Sequence, residues 1–162
     1  MTTDANATPE QRLDAAGFTL PEAPAAVAMY VPVVVDRGAV IVSGQIPLAD
    51  GRLFARGVVG DSITLETATD CARRCALNAL AVARSAVGSL DRIERVVRIG
   101  VFVAATPDFA DHPKVANGAS EVFFTAFGEA GRHARAAVGC SSLPLGAPVE
   151  VEAMFRLRDD DA

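Results

Sequence analysis

Two residues of this 162-residue chain could do chemistry together: Arg135 and Glu150. They stand on alternating segments, 133–138 and 149–153, joined by the turn Leu143-Pro144-Leu145-Gly146. A guanidinium keeps its charge at any working pH, and its planar fork matches a carboxylate. A glutamate nearby can hold a water molecule and take its proton. The pair therefore suits a small anionic substrate attacked by water. The alternative is structural, an ion pair from Arg135 to Glu150 or Glu152 across the strands.

The other reactive side chains carry less. His133 lies two residues before Arg135 on the same strand face and can be drawn toward a pocket, but a surface histidine is the simpler reading, as it is for His112. Three cysteines make an odd set with no disulfide framework. Cys71 and Cys75 are four apart in a helical stretch and read as small packing residues. Cys140 alternates away from Arg135, which argues against a nucleophile. No metal ligand set and no cofactor is expected.

Those residues must be held by an ordered scaffold. Thr8-Pro9-Glu10-Gln11 predicts a capped short helix over 9–16, stopped at Gly17. Ala28–Val35 and Ala39–Val42 are β-branched and flank Asp36-Arg37-Gly38, a hairpin signal. A short extra strand is expected near Leu53–Arg56. From Thr64 to Val87-Gly88, apolar residues recur every three or four positions, so an amphipathic helix with an alanine-rich face is predicted. Ile93–Val103 reads as a buried central strand, 114–127 as a second helix, and 133–140 and 148–157 as strands. The order β-β-α-β-α-β-β predicts an α+β two-layer sandwich, a mixed sheet with two main helices on one face. Alternation sends Val149, Val151, Ala153, Phe155 and Leu157 toward the helices. Glu150, Glu152, Met154 and Arg156 go to the other face, and Arg135 is expected with them. A face mixing charge with apolar residues predicts burial in an oligomer.

Composition bounds the rest. Hydrophobic residues make up 51% and charged ones 22%, as in an ordinary globular domain. The net charge of −5 argues against broad nucleic-acid binding, which needs a basic face. No apolar run reaches the ~20 residues of a membrane helix, and the N-terminus lacks the basic start and apolar core of a secretory signal. A single cytoplasmic domain over 1–162 is expected: an extension over 1–27, a core over 28–158 and an acidic tail over 159–162.

Four blocks in order resemble the Rid (reactive intermediate deaminase, YjgF-like) proteins: Tyr30 with Ile41-Val42-Ser43-Gly44-Gln45-Ile46-Pro47; Arg98 to Val103 with Asp108-Phe109; Asn117 through Glu121-Val122-Phe123-Phe124; and Arg135 with Leu143-Pro144 and Val149 to Ala153. The resemblance runs from about Tyr30 to Arg158. It implies a chorismate-mutase-like fold assembled as a homotrimer, with ligand pockets in the clefts between subunits. It also implies hydrolysis of reactive enamines and imines, such as 2-aminoacrylate, to 2-keto acids and ammonia. In its terms Arg135 grips the substrate carboxylate and Glu150 positions the water. Gly44 brings backbone close to the ligand, and Tyr30 and Asn117 line the pocket. Simple bulge, packing or capping roles are the alternatives for these last three.

The chain also departs from the classical pattern. Ala137 stands where classical members carry cysteine or threonine. The N-terminal helix and one extra residue between Asn117 and Arg135 resemble a longer branch of the family. Three functions follow as expectations: an enamine/imine deaminase, a non-catalytic trimer binding small carboxylates or partner proteins, and, least favoured, a ribonuclease.

Overall fold

A computed structural model describes residues 7–23 and 29–159. Residue 28, where the first strand was expected to begin, and residues 160–162 of the acidic tail fall outside the described residues. The elements are α1 (Pro9–Ala15), β1 (Val33–Asp36), β2 (Ala39–Gln45), β3 (Leu48–Ala49), β4 (Arg52–Leu53), α2 (Leu65–Val87), β5 (Ile93–Ala104), α3 (His112–Phe127), β6 (Ala134–Cys140) and β7 (Val149–Leu157). The first strand is shorter than its β-branched sequence suggests, because Met29, Tyr30 and Pro32 lie in bends and the ladder begins at Val33. The short extra strand is a two-residue hairpin arm, β4, paired with β3. The second helix starts at His112, two residues ahead of expectation.

The main sheet has the order β1-β2-β7-β5-β6. Only β5 and β6 pair in parallel, and the other neighbours are antiparallel. This mixed sheet carries α2 and α3 on one face, the predicted two-layer α+β arrangement. Inward residues of β7 (Val149, Val151, Phe155) are fully buried, together with Val40, Ile99 and Val101 from its neighbours. Strand alternation dictates this, since residues two apart share a face.

Small side chains set the helix layer close to the sheet. The buried stripe of α2 is largely Ala68, Ala72, Ala76, Ala79 and Ala83, with Cys71 and Cys75. Thr64 caps its start by accepting from the Thr67 amide, and Gly88 at φ 87° ends it. Burial pushes the Cys71 thiol up to about 12 and the Cys75 thiol well above its ordinary value. Both therefore stay protonated packing residues, as expected. Helix α1 docks at the far end of α3: Leu13 is fully buried, and Arg12 Nη1 donates to the Ala126 carbonyl at 3.1 Å. Among the described residues no helix is long and apolar enough to cross a membrane.

Where α3 crosses α2, Gly118 lies against the backbone of Thr69, and a Cβ there would land on the Thr69 carbonyl. Backbone cannot step aside as a side chain can. Gly118→Ala is expected to cost about 1–3 kcal/mol through overpacking. Urea unfolding measures it, and an unchanged midpoint would contradict the contact.

Candidate functional site

Arg135 does not share a face with Glu150, contrary to expectation. In the parallel register of β6 on β5, Arg135 stands opposite Ile99, which in turn faces Ala153 on β7. Ile99 and Ala153 are core residues on the helix side. Arg135 is thus on the helix side too, at the sheet's edge strand, where its long stem passes the core and its head reaches α3. Nη1 donates to Asn117 Oδ1 and to Ser120 Oγ, both at 3.0 Å, and Nη2 donates to the Pro113 carbonyl at 3.4 Å. All three acceptors are neutral, and among the described residues no carboxylate lies within ion-pair distance of Arg135. An arginine has five N–H donors. These bonds leave Nε–H and one Nη2–H, the lateral fork that a carboxylate can take in bidentate fashion.

Ser120 was not anticipated, and His133 is not the surface residue that was the simpler expectation. His133 is half-buried; its Nδ1 lies 2.6 Å from the Gly131 carbonyl and its Nε2 lies 3.1 Å from Ser120 Oγ. Burial and the neighbouring Arg135 charge lower its pKa against the raising effect of the Gly131 bond. It is therefore neutral at pH 7. The Gly131 carbonyl takes Nδ1–H, which leaves Nε2 to accept the Ser120 hydroxyl proton. Ser120 in turn presents its oxygen lone pairs to Arg135. A signal was present in the sequence: Asn117, Ser120, Glu121 and Phe124 fall on one helical face at i, i+3, i+4 and i+7. With His133 and Arg135 they line a groove of about 550 Å³. His112 is half-buried at the start of α3, edge-on to Phe109.

Glu150 belongs to a second cluster on the face away from the helices. Its neighbour in β5 is Phe102, and its carboxylate lies over Gly44, where a Cβ would collide with it. The close approach at Gly44 is to Glu150 of the same chain, at a bulge, which is the alternative to a ligand contact. A bulge in β2 between Val42 and Gln45 makes this possible. The buried Gln45 side chain fixes the bulge by donating to the Ser43 carbonyl at 2.9 Å. Ser43 Oγ donates to the Val31 carbonyl at 2.8 Å, which ties in the segment carrying the half-exposed Tyr30. Burial, and then repulsion from Glu152, raise the Glu150 pKa. Glu152 has its own partner, Arg98, at 3.2 Å. Cys140 is on the same face as Glu150, and burial and that carboxylate raise its thiol pKa.

The candidate residues thus fall into two clusters. Arg135, Asn117, Ser120 and His133 form one, on the helix side at the β6 edge. Glu150 and Gly44 form the other, on the open face. Ala137, two residues beyond Arg135 on its face, packs against the core.

A mixed sheet with two helices on one face, its arginine at the edge strand and its glutamate on the open face, defines a chorismate-mutase-like α+β protein. Comparison with known proteins makes this specific. Residues 10–155 match the family described as "YjgF/chorismate mutase-like, putative endoribonuclease", and the chain belongs to that family. It is 43% identical to Protein TCP17 of Trypanosoma cruzi over 144 residues, 88% of this chain and 90% of that protein. The crystal structure of Atu1372 from Agrobacterium tumefaciens, a protein described as of unknown function, matches with 42% identity and a TM-score of 0.87, covering 93% of this chain and 92% of that one. TdcF of E. coli, solved with bound serine, matches with 25% identity and a TM-score of 0.63 over 85% of this chain and 94% of that one.

The raised pKa of Glu150 has a consequence for stability. A carboxyl whose folded pKa exceeds its unfolded value supports folding below the unfolded pKa, near 4.5, and that support is lost as pH rises through the folded pKa. At pH 7 the charged form is therefore a burden, and Glu150→Gln is expected to raise the melting temperature there. The gain should vanish below pH 4.5, and a lower melting temperature at pH 7 would contradict it.

Proposed function

We propose that this protein hydrolyses reactive enamines and imines of small carboxylates to 2-keto acids and ammonia, in sites completed between subunits of a homotrimer. The uncommitted lateral fork of Arg135 carries the reading. A cation held by three neutral acceptors keeps its charge for a ligand and is already oriented, so little is lost on binding. The serine bound to the related TdcF, an amino acid with a carboxylate, supports the same ligand class.

The chemistry asks little more. Water adds to the electrophilic imine carbon as Glu150 takes one of its protons. The nitrogen is protonated, the carbinolamine collapses, and C–N cleavage releases ammonia as the C=O bond forms. A base with a raised pKa suits this transfer near neutrality. Arg135 and Glu150 are on opposite faces of one sheet, so the glutamate that meets a given arginine comes from another subunit. A non-catalytic carboxylate-binding trimer is the second reading, favoured by Ala137, whose packing against the core leaves no polar group at that position. The endoribonuclease in the family's description fits this chain less well, given its net charge of −5 and its lack of a second histidine beside His133 in the groove.

Ammonia release from enzymatically generated imines tests the proposal. Arg135→Ala should lower kcat/KM by about 10- to 100-fold, the weight of a charge-assisted bidentate pair. Glu150→Gln should lower kcat with KM little changed. Equal rates in wild type and Arg135→Ala would remove the assignment. Binding of 2-keto acids lost in Arg135→Ala, with no turnover in wild type, would establish the binder instead. Light scattering should give the mass of three chains, and a monomeric mass would contradict the shared site.

A further inference from the structure

The groove beside Arg135 has room beyond a three-carbon acid, and its lining includes an aromatic ring. Its volume is about 550 Å³, and the ring of Phe124, 45% exposed, lines it. A half-exposed ring that lines a groove offers a flat apolar face to whatever the groove holds. One side of this ring is occupied, because the Arg132 guanidinium stands over it at 5.2 Å. Arg132 is itself fixed by Glu129 at 2.8 Å. The remaining ring surface is an apolar platform in the same groove as Arg135.

Helix α3 supplies the spacing. Arg135 is tied to Asn117 and Ser120, and Phe124 follows Ser120 by one helical turn. At ~1.5 Å per residue the platform lies roughly 6–10 Å along the helix from the fork. A three-carbon acid ends about 3 Å from its carboxylate carbon, whereas a ring carried on its β-carbon reaches roughly twice as far. The space between is bounded by Ser120 and the neutral His133, which add no charge. Glu121, the one acid of this chain in the lining, is engaged by Arg73 at 2.8 Å.

We infer that the groove selects carboxylates bearing an aromatic side chain, with the carboxylate on Arg135 and the ring against Phe124. This rests on the proposed carboxylate grip of Arg135 and extends it to a substrate class. Aromatic 2-imino acids are the preferred substrates and aromatic 2-keto acids the products. Phe124 is the specificity-determining residue. It stands on the exposed side of α3, so its truncation leaves the core intact.

Calorimetry with phenylpyruvate and with pyruvate tests the inference without requiring turnover. Wild type should bind phenylpyruvate about tenfold more tightly than pyruvate, a typical return for aromatic contact plus buried ring area. Phe124→Ala should erase that preference, so that phenylpyruvate binds no more tightly than pyruvate. Equal affinities in wild type, a preference that survives Phe124→Ala, or no binding of either acid would overturn it. Imine turnover, measured alongside, separates the two ideas. Aromatic preference without turnover sinks only the deaminase reading, and turnover without aromatic preference sinks only this one.

Discussion

The parallel pairing of β6 on β5 is the constraint on which the site depends. Its register sets Arg135 opposite Ile99 and Ala137 opposite Val101, and both partners are core residues. A slip of one residue would move every β6 side chain to the other face. With this register, the arginine emerges on the helix side of an edge strand, where α3 offers a carbonyl, an amide oxygen and a hydroxyl. Ser120 can serve as acceptor because His133 takes its proton, and His133 is kept neutral by burial and by Arg135 itself. The cation thus helps to maintain the state of the histidine that orients it.

Glu150 is governed by opposite physics. It is half-buried with no cation within ion-pair distance among the described residues, and the nearest acid, Glu152, is already paired with Arg98. Room for it comes from Gly44, and Gly44 is where it is because a bulge is fixed by a buried glutamine. An arrangement that keeps a carboxylate partly desolvated works against stability, as functional groups often do. The arginine end of the chain is preorganised by hydrogen bonds, and the glutamate end by exclusion of water and of a side chain.

Much of the fold was legible in the sequence because contrast between apolar and polar residues was strong. The period of α2 and the alternation of β7 each pointed to one arrangement. Arg135 was misassigned because β6 reads Ala-Arg-Ala-Ala-Val-Gly-Cys, a strand without contrast. Charge alone suggested the open face, yet a long side chain on an edge strand can pass the core and reach polar groups beyond it. Ser120 stayed hidden because sharing a helical face with Asn117, Glu121 and Phe124 gives it no role until its neighbours in space, Arg135 and His133, are known. The masking was mutual: His133 looked like a surface residue only while Ser120 was unassigned. The Arg98–Glu152 pair and the Phe124 platform likewise depend on contacts that join distant parts of the chain.

The proposed reaction requires the Arg135 and Glu150 clusters, on opposite faces of one sheet, to meet between chains. The most direct measurement is complementation between inactive subunits. Arg135→Ala and Glu150→Gln chains, each tested alone and then unfolded and refolded together in equal amounts, should recover imine hydrolysis to about a quarter of the wild-type rate, the fraction of clefts in a closed ring that unite an intact arginine with an intact glutamate. A mixture no more active than the separate variants, under conditions where wild type refolds to full activity, would show that both residues act within one chain and would contradict this account.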